Sequence, residues 1–284
     1  MGTWRSADTC GIMSSGGVMS QLSATHGGRL GHQGLALLDR IQRSGRAVVR
    51  VDRDRRIFRG RDNAESQALR RLADGGWLVR LERGAYVVAG PARIERHSQL
   101  ALVADWLEGE PYVVTGFFAL AYWNLTNQPP TTIDILLPRR KPNVEYGPTL
   151  FRFIQVPAAR LPEPRLIDVP GAHARVRIVS PERAIADLVA GRYSSDIDTA
   201  NDAFVRGFRL GILRRPQLTR ELRISPAVAT RRLGWLADRH GDEQLVEKLE
   251  PLVGSYGYLP LDPGRSTESA ERNRRWRLLE NATF

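Results

Sequence analysis

The sequence predicts an α+β chain in two parts. A small N-terminal domain comes first, and a larger mixed α/β domain with a small sheet and a helical half follows. Three observations carry this. Residues 35–88 read as helix, strand, helix, helix and hairpin. Residues 132–178 read as a series of short alternating runs, and the remainder reads mainly as helices. Charge divides the same way. Residues 1–93 hold 16 arginines and 8 acids, net +8, while residues 94–284 hold 26 basic and 23 acidic side chains, net +3.

With 284 residues, 42% hydrophobic and 26% charged, the chain is long enough for two cores. The longest apolar run, Tyr112 to Trp123, is too short to span a bilayer. A single cysteine, Cys10, excludes an internal disulfide and a multi-cysteine zinc site. No charged start, apolar core and small-residue cleavage site appear, so the expected location is the cytoplasm, with no membrane partner. Forty of the 42 basic residues are arginines, the lysines being Lys141 and Lys248. Arginine forks onto phosphate and guanine, which favours a nucleic-acid partner. A GC-rich codon bias also raises arginine, but it would not by itself place most of the excess in the first third.

Residues 1–33, rich in Gly and Ser, are expected to form a flexible tail. Residues 34–93 make the first domain. Leu35, Leu37, Leu38 and Ile41 recur at helical spacing up to Ser44-Gly45, and Ala47–Val51 reads as a strand. Asp52–Arg59 reads as a short charged helix with Ile57 and Phe58 inward. Gly60-Arg61-Asp62 is a turn and N-cap, followed by a helix with Ala64, Ala68, Leu69 and Leu72 on its buried stripe. Gly75-Gly76 stops it, and Trp77–Leu81 and Ala85–Val88 flank Glu82-Arg83-Gly84 as a hairpin. This is the layout of a winged helix-turn-helix DNA-binding domain. The third helix would turn Asn63, Ser66, Gln67, Arg70 and Arg71 outward, groups suited to base edges and phosphates. Arg53, Arg55, Arg56, Arg59 and Arg61 would lie along the phosphate backbone, and Arg83 would flank them at the hairpin tip. The competing reading is a solvated basic face used for protein contacts.

Residues 94–284 form the expected partner-binding domain. An amphipathic helix spans 94–108, and Tyr112–Trp123 reads as a buried helix. Strand-like runs follow at 132–137, 150–154, 165–168 and 174–178, for a small mixed or antiparallel sheet. Ser180-Pro181 caps and opens a helix. Further helices fall at 196–209, 216–222, 226–239 and 242–253, and Arg274–Leu279 reads as a final strand.

A search for catalytic chemistry returns negatives, so no enzyme activity, catalytic residue, metal or cofactor is expected. The five histidines are scattered, and no P-loop or Gly-x-Ser-x-Gly elbow is present. Neither lysine has a carboxylate two positions before it, as a nuclease of the PD-(D/E)xK type requires. Asp134 and Asp168, on predicted strands, are the one pair that could share a metal.

Four stretches carry a family resemblance. They are Ala68–Tyr86 (ALRRLADGGWLVRLERGAY), Val114–Thr126 (VTGFFALAYWNLT), Ser180–Leu188 (SPERAIADL) and Ala229–Leu236 (ATRRLGWL), and their order and spacing resemble the AbiEi-type antitoxins. The resemblance implies a bacterial antitoxin and transcriptional regulator. Its N-terminal domain would repress its own operon at promoter inverted repeats of double-stranded DNA, two copies pairing on the repeat. Its C-terminal domain would neutralise a cognate nucleotidyltransferase-like toxin. The alternatives are a regulator without a toxin partner and an interaction module whose basic N-terminus is incidental.

Overall fold

The computed structural model describes residues 31–58, 63–89, 98–191, 197–255 and 257–282. The architecture is mixed α and β, and the chain divides into two compact units between Arg96 and His97. Most of the expected tail, together with Gly60-Arg61-Asp62 and residues 94–97, lies outside the described residues.

The first unit runs α1 (His32–Arg43), β1 (Val48–Arg50), α2 (Asn63–Asp74), β2 (Leu78–Glu82) and β3 (Ala85–Val88). Helix α1 begins within the stretch expected to be tail, and its spacing buries Leu37, Leu38 and Ile41. Its last carbonyls are met by the Ser44 and Gly45 amides, with Gly45 at φ 68° closing the helix. Helix α2 ends the same way at Gly76, φ 73°, whose amide donates to the Ala73 carbonyl. The strands form one antiparallel sheet in the order β1-β3-β2, and Gly84 at φ 79° supplies the left-handed residue of the hairpin turn. The core brings Leu37, Leu38 and Ile41 of α1 against Ala68, Leu69 and Leu72 of α2, with Val49, Ile57, Phe58, Leu78 and Val88 beneath.

One expected element is replaced. Residues 51–57 form successive turns rather than a helix. The cause is local. Asp54 turns its Oδ2 back to accept the Arg50 amide at 2.6 Å and its Oδ1 onto Arg46 at 3.2 Å. A short acidic side chain bonded to nearby backbone offers an alternative to the helical ladder. Ile57 and Phe58 are nevertheless buried, as their spacing predicts.

The second unit is built on a six-stranded mixed sheet. Its strands are β4 (Val113–Thr115), β5 (Thr132–Leu137), β6 (Val144–Tyr146), β7 (Thr149–Gln155), β8 (Arg165–Ile167) and β9 (Val176–Ile178), ordered β6-β7-β5-β4-β9-β8. The pairs β5–β7 and β4–β9 are parallel and the others antiparallel. Helix α3 (Gln99–Trp106) is buried along its whole length from Leu100 to Trp106, so it is not amphipathic as expected. The run expected as one buried helix splits into β4 and α4 (Gly116–Tyr122). Three β-branched residues in a row, Val113, Val114 and Thr115, favour the strand. Gly116 then takes φ 72° at the junction, where an added Cβ would strike the Asp134 carboxylate. The neighbouring Tyr122 is 40% exposed.

The helical half comprises α5 (Pro181–Val189), α6 (Ile197–Arg209), α7 (Arg215–Ile224), α8 (Ala227–Arg239) and α9 (Glu243–Leu249). Ser180 caps α5 as expected, its Oγ accepting the Arg183 amide at 3.1 Å, with Pro181 in the first turn. Helix α5 is the hub, touching α4, α6, α7 and α8. A last small sheet joins β10 (Leu259–Pro260), β11 (Glu271–Asn273) and β12 (Leu278–Glu280), with residues 274–277 as its turn rather than strand. Trp276, fully buried, lies across Gly234 of α8 and donates its indole N–H to Asp238 at 3.0 Å. A Cβ at residue 234 would stand 1.9 Å from that ring. Gly234→Ala is therefore expected to expel Trp276 and cost about 1–3 kcal/mol, read as a Tm several degrees lower in thermal unfolding.

Candidate nucleic-acid interface

The buried stripe of α2 decides what the helix shows outward. Ala68, Leu69 and Leu72 are turned into the core, so Ser66, Gln67, Arg70, Arg71 and Asp74 are exposed. Glu65 anchors the same helix from its inner edge. Its carboxylate meets Arg40 of α1 at 2.8 Å, with only 12% of the Glu65 side chain exposed. The rotation of α2 is thus held by apolar contacts on one side and by an ion pair on the other.

Beside this face stands the β2–β3 hairpin, and between them lies an open cleft of about 1150 Å³. Ser66, Arg70 and Asp74 line it from α2, Arg80 and Arg83 from the hairpin, and Arg50 and Asp52 from the end of β1. The end of β1 is tied to the hairpin tip by the Val51 amide, which donates to the Gly84 carbonyl at 2.9 Å. A register shift between Arg80 and Glu82 marks a bulge in the hairpin, and it leaves Val79 and Arg80 both exposed.

The arginines of this unit fall into two classes. Arg40, Arg46 and Arg50 are held in partly buried ion pairs with Glu65, with Asp54, and with Asp52 and Glu82. The second class is exposed. Arg70 is 85% exposed and pairs with the 72% exposed Asp74 one turn on at 3.8 Å, a surface pair of the weak kind. Arg71 turns its Nε toward the Gln67 carbonyl at 3.3 Å, and Arg80 turns its own toward the Glu82 carbonyl at 3.3 Å. Arg53, Arg55 and Arg56 are exposed on the turns after β1, and Arg83 is exposed at the hairpin tip.

Of the residues predicted from sequence, Ser66 and Arg70 share the cleft with Arg83, and Gln67 and Arg71 lie on the adjoining face of α2. Arg53, Arg55 and Arg56 sit on turns, not on the expected helix, so no helical register aligns them. Arg59, Arg61 and the side chain of Asn63 lie outside the described residues. Sequence reasoning passed over Arg80 and the Arg50–Asp52–Glu82 cluster. Arg80 was legible beside Leu81, whose burial turns its neighbour outward. The cluster was not, because it depends on Arg50 meeting Glu82 across 32 residues.

The carboxylate pair does not assemble. Asp134 on β5 is buried and paired with Arg152 of β7, while Asp168 follows β8, three strands away in the sheet. Three strand spacings are about 14 Å, too far for one ion. Among the described residues no group of three or more His, Cys, Asp or Glu could hold a metal, and no helix is long and apolar enough to cross a membrane.

No protein-family model and no curated protein matches the chain. Among solved structures, the RV2827C protein from Mycobacterium tuberculosis is similar in fold. Its TM-score is 0.59 at 18% identity, covering 90% of this chain and 94% of that one. The likeness extends over nearly the whole of both chains, and at that identity it speaks to the fold.

The turn segment has its own test. Asp54, with 8% of its side chain exposed, holds both the Arg50 amide and the Arg46 guanidinium. Asp54→Ala removes both contacts and is expected to cost about 2–4 kcal/mol. Urea unfolding would read the loss, and proteolytic nicking within 51–58 should quicken.

Proposed function

We propose that the N-terminal unit is a winged-helix DNA reader. Helix α2 enters the major groove, and the β2–β3 hairpin serves as the wing against the flanking phosphates. One observation carries the reading: exposed Ser66 and Arg70 of α2 and Arg80 and Arg83 of the hairpin line a single cleft, while the acids of the unit are largely spent on Arg40, Arg46 and Arg50. Gln67 is suited to adenine and Arg70 to guanine, and Arg53, Arg55, Arg56, Arg71 and Arg83 are suited to phosphates. With turns at 51–57, the helix that would cross the backbone is replaced by a short arginine-bearing loop.

The AbiEi-type resemblance extends this proposal to an autorepressor and antitoxin. Two copies would bind inverted repeats in the operon's own promoter, and the C-terminal unit would neutralise a nucleotidyltransferase-like toxin. The DNA half is supported by geometry and charge, the toxin half by the resemblance. No catalytic role is assigned to either unit. A bacterial regulator of this kind would act in the cytoplasm.

The deciding experiment is a gel shift of the full chain on DNA from upstream of its own reading frame, at low and high salt, with random DNA as competitor. A specific shift that weakens steeply with salt is expected. Arg70→Ala should cost about 1–3 kcal/mol on the specific site if it forks onto guanine. An affinity indifferent to salt, or no preference over random DNA, would overturn the proposal.

A further inference from the structure

At the hairpin tip, Arg50 holds two carboxylates with different exposure. Asp52 meets it as a fork, Oδ1 on Nε and Oδ2 on Nη2, both at 3.0 Å. Glu82 takes Nη1 at 3.1 Å from the other side. The Arg50 side chain is 12% exposed and that of Glu82 22%, but that of Asp52 is 54% exposed. Glu82 therefore belongs to the packing that orients the guanidinium. Asp52 is an exposed carboxylate on the Nε–Nη2 edge of that guanidinium, and both residues line the cleft. The Arg50 guanidinium, with Arg53 adding its field, holds the Asp52 carboxyl below the usual carboxylate range, so it is ionised near neutrality.

Two parallel N–H···O bonds from one guanidinium edge are also how arginine takes a phosphate. We propose that Asp52 is an intramolecular competitor for DNA phosphate, occupying the fork of Arg50 that a phosphodiester oxygen would otherwise take. The inference rests on the DNA-binding reading above. Its consequence is a ceiling on the electrostatic part of binding. A docking phosphate must displace Asp52 or stand off from its charge, and the penalty falls equally on every sequence because the contact reads no base. The exposed arginines Arg53 and Arg83 nearby draw the backbone in, while Asp52 limits how tightly it is held.

The test is fluorescence anisotropy of the full chain across a series of salt concentrations. The probes are a random-sequence duplex and a duplex from upstream of the reading frame. Asp52→Asn keeps the shape and removes the charge. The Arg50 pair is weakened with it, so the melt is expected to fall slightly, and binding is read at a temperature where both chains are folded. The expected result is about five- to tenfold tighter binding to both duplexes at low salt, with the dependence of log K on log salt steeper by about one. Asp39→Asn on α1 is the control, an exposed acid paired with Arg43 and not a lining residue of the cleft. An equal gain there would mark a general charge effect and overturn the proposal. Salt-dependent binding by the natural chain with no gain in Asp52→Asn would overturn it while leaving the DNA reading intact. Failure of the natural chain to bind either duplex would remove the DNA reading and this inference together.

Discussion

The rotation of α2 about its own axis is the constraint on which the candidate site depends. Leu69 and Leu72 have nowhere to go except against Leu37, Leu38 and Ile41 of α1, with Leu78 and Val88 closing the core below. Each such side chain is stabilised by about 1.5–3 kcal/mol on burial. A slip of one residue would turn a leucine to water and bring an arginine inside. The outward face is therefore specified by the inward one. Ser66, Gln67, Arg70 and Arg71 are presented together because they occupy what the leucines leave over, and the Arg40–Glu65 pair holds the angle from the rim.

The same economy limits how much of the arginine-rich composition reaches the surface. In the second unit several arginines are consumed internally. Arg183 lies within α5 against fully buried Asp187 at 3.0 Å. Arg231 donates to the carbonyls of Val253 and Gly257, and Arg232 to those of Val189 and Pro260. These guanidiniums hold carbonyls of the α5 end, of the segment after α9 and of β10, and so tie the small C-terminal sheet to α8. Burial pulls the pKa of both Arg231 and Arg232 down from the usual value. Exposed arginine is scarcer than the composition suggests, and in the first unit Arg70, Arg80 and Arg83 line one cleft.

That cleft is also where local order was traded for surface chemistry. A continuous helix over 52–59 would have satisfied its own backbone. Instead Asp54 holds the segment in turns, and Val51 docks on Gly84, so the loop and the hairpin tip share one rim. Arg50, Asp52, Glu82 and Arg83 come together there, with one carboxylate half-buried and one open to solvent. The rim is thus composed of charges that differ in exposure as well as in sign.

Periodicity by itself determined the elements whose two faces differ. The stripes of α1 and α2, apart from exposed Leu35 and half-buried Ala64, the alternation of β7, the Ser180-Pro181 helix start and the hairpin at Gly84 were legible, because burial on one side imposes a spacing that composition reveals. The sequence also placed the charge, and from it the outward residues of α2. It misled where burial is total or where a local bond intervenes. Helix α3 is buried from Leu100 to Trp106, Asp105 included, so no exposed face sets its phase. The β4–α4 run has too few polar residues to mark where strand gives way to helix, although Tyr122 is exposed. Residues 51–57 have helical composition but obey the Asp54 carboxylate. Tertiary structure alone decided which arginines are spent and which are offered. That depends on partners far along the chain, Glu65 for Arg40 and Glu82 for Arg50, which only the folded backbone brings within reach.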